Sequence, residues 1–130
     1  MKKVLTIGLV CIMLLFGAIV CANVSNFTFG WQQSAVDLPN LQEWRIYKTE
    51  TAGTGYTQMI AIAYDGTQKQ EYTGSTTIDQ PINTKKTYYF IVRAVGKNGL
   101  ESGNSNEVSA VIDWTTPNVP ILFRVTINGQ

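Results

Sequence analysis

The stretch from Thr87 to Ile112 leaves this chain few folds to choose from. Tyr88-Tyr89-Phe90-Ile91-Val92-Arg93-Ala94-Val95 is dense in aromatic and β-branched residues, which fit a pleated, half-buried surface. Gly96 to Asn106 breaks that pattern with Gly96, Asn98, Gly99, Gly103, Asn104 and Asn106. Glu107 to Ile112 resumes it, with Val108, Ala110 and Ile112 on one face. The stretch therefore predicts a β-hairpin with a long loop.

Other runs repeat the period of two. In Asn26-Phe27-Thr28-Phe29-Gly30-Trp31-Gln32-Gln33 the large residues alternate with smaller or polar ones. In Trp44-Arg45-Ile46-Tyr47-Lys48-Thr49 the pattern turns Trp44 and Ile46 inward and Arg45 and Tyr47 outward. Gln58 to Tyr64 is apolar on both faces, and Glu71 to Ile78 is a Thr-rich, more polar strand. Loops marked by Asp37, Pro39 and Asn40, by Gly53 and Gly55, and by Asp65-Gly66 separate the runs. No helical period occurs after residue 22. The expected fold class is all-β, an immunoglobulin-like β-sandwich.

The N-terminus has another character. Lys2 and Lys3 precede an uncharged, mostly apolar run from Val4 to Val20, and Val20-Cys21-Ala22 offers small residues for a signal peptidase. That is the layout of a secretory signal helix, residues 1–22, cleaved after Ala22. The same run is at the short end of what spans a bilayer, so retention as an anchor stays open, as does lipidation at Cys21. Cleavage removes Lys2, Lys3, Cys11 and Cys21, leaving 8 bases against 9 acids and neither cysteine nor histidine. With no disulfide available, the core must hold the fold. Such a charge balance gives no footing to nucleic acid.

Ile82-Asn83-Thr84-Lys85-Lys86-Thr87-Tyr88 resembles the corner of a fibronectin type III domain, where an aliphatic residue is followed six positions later by a tyrosine that opens strand F. Trp31 is similar to the strand B tryptophan of that family, Trp44-Arg45-Ile46-Tyr47 to its strand C, and Ser105 to Ala110 to the start of strand G in many bacterial members. The resemblance covers residues 26–113, within a domain of residues 23–113. It implies structural roles for Trp31, Trp44, Ile82 and Tyr88, with the Tyr88 hydroxyl bonding back to the preceding loop. Ile82 stands where leucine is usual, and Asn83-Thr84 where Pro-Gly is usual. Too few residues precede Phe27 in the processed chain for a strand A, which is expected to be missing or supplied by the C-terminal segment. That segment follows a Pro-containing linker, residues 114–120. Within residues 121–130, Ile121, Phe123, Val125 and Ile127 alternate on one face, like the strand A of a following repeat.

The fold serves many roles, so function must be read from sites. The carboxylates Asp37, Glu43, Glu50, Asp65, Glu71, Asp79, Glu101, Glu107 and Asp113 are dispersed, and no histidine or thiol accompanies them. No catalytic, metal or cofactor site is expected. The expected function is an exported, non-catalytic structural or protein-interaction module, secreted, periplasmic or at the cell surface, with a protein partner or self-association through the C-terminal strand. A membrane contact is expected only through an uncleaved signal or a lipid on Cys21. The alternative is a polysaccharide-binding or adhesion domain using Tyr47, Tyr64 and Tyr89 on an outer face beside Ile91. Further interaction candidates are Lys97, Asn98, Leu100 and Glu101 in the long loop, and Ile121, Phe123, Val125 and Ile127 in the C-terminal segment. That segment has three possible berths: its own sheet, another edge in cis, or the strand A gap of a neighbouring subunit.

Overall fold

A computed structural model describes the backbone of residues 7–13 and 19–129, and side chains from Asn23 onward. Lys2 and Lys3, the middle of the apolar run at residues 14–18, and Gln130 lie outside the described residues. Among the described residues seven strands follow one another: β1 (Ile7–Met13), β2 (Ile19–Trp31), β3 (Leu41–Thr49), β4 (Thr57–Ala63), β5 (Tyr72–Pro81), β6 (Lys85–Gly96) and β7 (Val108–Asp113). A 3-10 turn at Leu38–Asn40, with Pro39 in it, leads into β3. The strands form two antiparallel sheets, ordered β1-β2-β5 and β4-β3-β6-β7. Their arrangement is sandwich-like.

The period of two decides which side chains meet between the sheets. Phe27, Phe29 and Trp31 of β2 face Trp44 and Ile46 of β3, Tyr88 and Phe90 of β6, and Ile112 of β7 in one buried cluster. Phe90 packs against both Phe27 and Phe29, at centroid distances of 5.6 and 5.0 Å. At one pole Trp44 joins Trp31, Tyr64 and Tyr72 in a second aromatic group. Beside it the sheets close: a Cβ on Gly74 of β5 would lie 2.3 Å from Ile62 Cδ1 of β4. Trp31 and Trp44 are both buried in this core, 8% and 2% exposed.

Three expectations are corrected. First, part of the run read as a signal helix is a strand beside β2 in the full chain. Ile7–Met13 is extended and pairs with residues 19–25, Val10 opposite Ala22. Apolar runs of this length carry no period that separates helix from buried strand, and the neighbouring edge of β2 decides in favour of the strand. Second, the C-terminal segment forms no strand. Residues 121–129 lack regular structure, and Ile121, Phe123, Val125 and Ile127 are 79–88% exposed. Alternation alone makes no strand where no edge lies alongside to complete its hydrogen bonds.

Third, the corner before β6 is held differently. Ile82 is 45% exposed, and among the described residues Tyr88 makes no hydroxyl bond to the preceding loop. Tyr88 is buried and lines a pocket with Lys48, Thr49 and Glu50 instead. Gln80, wholly buried, does the fastening: its Nε2 donates to Thr84 O (3.0 Å), Thr84 Oγ1 (2.8 Å) and Ile112 O (3.2 Å). The tight turn falls on Asn83, at φ 60°, a conformation asparagine tolerates better than most residues. Its N–H donates to Trp114 O at 3.0 Å, tying the end of β7 to the corner.

Candidate functional site

Across the outer face of the four-stranded sheet, Arg45 lies opposite Arg93, Tyr47 opposite Ile91 and Thr49 opposite Tyr89. Tyr47 points outward as its place in the strand requires, yet it is only 8% exposed, and Ile91 only 3%. The long loop after β6 explains the local order. It turns at Gly96–Gly99 and runs back beside β6, with Ser102 N donating to Ala94 O (2.8 Å) and Ser105 N to Val92 O (3.0 Å). The return bonds go to side chains: Ala94 N to Ser102 Oγ and Val92 N to Ser105 Oγ, both 2.9 Å. Serine hydroxyls accept where the carbonyls of an adjoining strand otherwise would.

This places Glu101 opposite Val95, where it accepts a hydrogen bond from the Tyr47 hydroxyl. Arg93 lies over the Tyr47 ring at 4.4 Å, pairs with Glu101 at 3.8 Å and donates Nε to Asn104 Oδ1 at 2.7 Å. Arg45 beside it is taken up by Glu43 at 2.8 Å. Arg45, Arg93 and Asn104 did not stand out in the sequence. The signal was one arginine on each of two strands, Arg45 and Arg93, lying opposite each other, and that is visible only once the register is known.

Burial, and then the bond to Glu101, hold the Tyr47 phenol above its ordinary value. A group whose pKa is raised by folding contributes stability that is complete below its unfolded value, about 10 for tyrosine, and lost as pH rises through the folded value. Wild-type stability therefore falls more steeply above pH ~10 than that of Tyr47→Phe. Urea midpoints measured at neutral and at alkaline pH check this. Equal alkaline losses in both proteins contradict it.

The three candidate tyrosines do not share a face. Tyr47 and Tyr89 belong to the outer face, whereas Tyr64 packs edge-on against Trp44 (5.6 Å) and Tyr72 (6.2 Å) on the core side. The placement of Tyr64 on an outer sugar-binding patch is thus corrected. β4 ends at Ala63, and the chain turns in there with Tyr64 N bonded to Gln42 O at 2.9 Å. In the long loop, Lys97 Nζ donates to Pro39 O and Asn98 Oδ1 accepts from Leu100 N, so both are engaged in holding the loop. Leu100 is 72% exposed.

An apolar opening lies between β2 and β7. It comprises two adjoining hollows of about 270 and 190 Å³ that share Phe29, Phe90 and Val108 as walls. Trp31 and Ile46 line one, Phe27 and Ala110 the other. The indole Nε1 of Trp31 is buried there without a hydrogen-bond partner. The exposed apolar residues of the C-terminal segment are the counterpart: Val119, Ile121, Leu122, Phe123, Val125 and Ile127 form the longest run of exposed large apolar side chains among the described residues.

Among the described residues no group of three or more His, Cys, Asp or Glu side chains is placed to hold a metal ion. The carboxylates are engaged in structure: Glu50 with Lys86, Asp113 with Lys85, Asp65 with Lys69, and Glu107 with Gly53 N and the Tyr56 hydroxyl. Compared with protein-family models, curated proteins and solved structures, the chain matches none.

Proposed function

We propose that the chain is an exported, non-catalytic structural or interaction module, and that its C-terminal segment joins it to a second copy. The observation that carries this reading is the segment itself. Ile121, Phe123, Val125 and Ile127 alternate on one face and stand 79–88% exposed, a pattern that soluble domains avoid unless something covers it. The basic start, apolar run and Val20-Cys21-Ala22 support export with cleavage after Ala22. The module is of fibronectin type III kind: β2 pairs with β5, while β3, β6 and β7 share the other sheet, as B and E are divided from C, F and G in related sandwiches.

The test starts from the whole reading frame, expressed with its own N-terminus in a secreting bacterial host. Mass spectrometry of the exported product is expected to place its first residue at Asn23. Light scattering is expected to find assemblies of native chains and monomers of Phe123→Asp, a substitution at an 85% exposed position that leaves the core untouched. A product that keeps residues 1–22 overturns the export reading. Equal masses for native and variant chains overturn the joining role.

A further inference from the structure

We infer that the groove beside β2 on one copy receives residues 121–127 of another as an added strand, on the β2 edge that β1 borders only as far as Ser25 before processing. This rests on the proposed export and C-terminal joining, and it specifies the acceptor.

Cleavage after Ala22 falls inside the first sheet. Ala22 pairs with Val10, and the whole register of β1 lies on residues 19–25. Processing therefore removes β1 and the first four residues of β2, leaving Asn23–Trp31 paired to β5 along one edge. The other edge borders the two hollows between β2 and β7. Their walls are core residues, Phe29, Trp31, Phe90 and Val108 among them. An apolar groove along an open strand edge suits an extended segment with apolar residues at every second position. Residues 121–127 are that segment: Ile121, Phe123, Val125 and Ile127 enter the groove while Leu122, Arg124 and Thr126 face out.

Reach separates the same copy from another. Asp113 pairs with Lys85, next to the corner that follows Pro81, and Pro81 pairs with Ala22. The C-terminal segment thus leaves at the pole where processed β2 begins. To run antiparallel to β2 it must enter at the Trp31 end, about 26 Å away along the strand and about 10 Å across the sandwich. Trp114 is fastened by bonds between its N–H and Thr84 O (2.9 Å) and between its carbonyl and Asn83 N–H (3.0 Å). Only Thr115 to Pro120 remain free, reaching about 20–22 Å at full extension. A second copy supplies the segment without that constraint. The contact is head-to-tail, so it propagates into open chains.

Two substitutions test this on the exported protein. Phe123→Asp disables the donor and weakens association about a hundredfold or more. Ala110→Phe fills the groove from β7 and disables the acceptor. Each alone is expected to be monomeric, and a 1:1 mixture is expected to form one defined heterodimer, because one partner keeps its groove and the other its donor. If Phe123→Asp is monomeric but Ala110→Phe still assembles, the groove is not the acceptor, while the joining role of the segment stands. If neither changes the assembly, the joining role falls and this inference with it.

Should Ala110→Phe fail to fold, cysteines report instead. Thr28 faces outward, bonded to Ser75 at 3.0 Å, and Arg124 faces outward in the docked segment. Thr28→Cys and Arg124→Cys on separate chains, mixed under oxidising conditions, are expected to give a covalent dimer. Leu122→Cys and Thr126→Cys serve for neighbouring registers. With both cysteines on one chain, an intramolecular disulfide places the segment in cis and overturns the inference, as does the absence of any crosslink in all three registers.

Discussion

Trp44→Ala is expected to lower the stability of the domain by about 3–5 kcal/mol, the range for removing a large aromatic residue from a packed core. Trp44 is 2% exposed and has Trp31 at 5.4 Å, Tyr72 at 4.5 Å and Tyr64 at 5.6 Å around it. Three rings that rest on one cannot all collapse into the space it leaves. The substitution also strips Gln33 Oε1 of the indole N–H that donates to it at 3.1 Å. Domains of this size are stable by about 5–15 kcal/mol, so the variant retains little of its folding free energy or none. Residues 23–130 contain no cysteine, so no disulfide within them offsets the loss. Urea denaturation followed by circular dichroism measures it. Trp44→Phe keeps a ring in place and is expected to lose less than half as much. A loss below about 1.5 kcal/mol for the alanine variant means that the aromatic pole repacks and does not hold the sheets together.

The second large effect concerns a buried polar group. Gln80→Leu is expected to cost about 2–3 kcal/mol, although it replaces a polar side chain by an apolar one of similar size. The amide is a clamp between layers. It sits on β5 in one sheet and bonds Ile112 O of β7 in the other, as well as Thr84 at the corner. Its two N–H groups serve three acceptors, so one is shared. Thr84 Oγ1 already donates to Pro81 O at 2.5 Å, which leaves it an acceptor toward Gln80 and settles which end of the amide points there. Leucine takes the side-chain donor from Ile112 O at the point where the sheets meet, and leaves Thr84 O with the Trp114 N–H alone.

Gln80→Glu sharpens the test, because it keeps the shape and reverses the bonding. A carboxylate facing carbonyl oxygens is held in its protonated form, so its folded pKa lies above the unfolded value of about 4.3. Such a group is least harmful below the unfolded pKa and becomes more costly as pH rises through the window between the two values. The stability gap between Gln80→Glu and wild type is therefore expected to be wider at pH 7 than at pH ~4. A gap of equal size at both values rules out the proposed facing of acceptors.

How much of this was legible beforehand differs from residue to residue. Trp44 and Ile46 inward, Arg45 and Tyr47 outward, follow from the pleat and from nothing else. The burial of Tyr47 does not follow. It depends on a loop dozens of residues later, whose Ser102 and Ser105 hydroxyls bond it to β6 and bring Glu101 to the phenol. Gln80 looked like one more polar residue ahead of a corner, since its partners Thr84 and Ile112 lie in two other parts of the chain, the corner and β7. Gln58 to Tyr64 reads as one strand to its last residue, whereas β4 ends at Ala63 and Tyr64 turns in toward Trp44.

Alternation with a period of two is local, because each side chain's face is set by the backbone of its own strand. The sequence by itself therefore determined the all-β class, the C-terminal part of β2, the positions of β3 to β7 within a few residues, and the aromatic core. Pairing is not local. Which edge a run meets depends on backbone groups far along the chain, so only the tertiary structure decided that Ile7–Met13 pairs with β2 and that an apolar groove opens beside it. The same reason left the alternating residues 121–127 without a strand: their pattern supplies one face, and the described chain brings no edge to meet it.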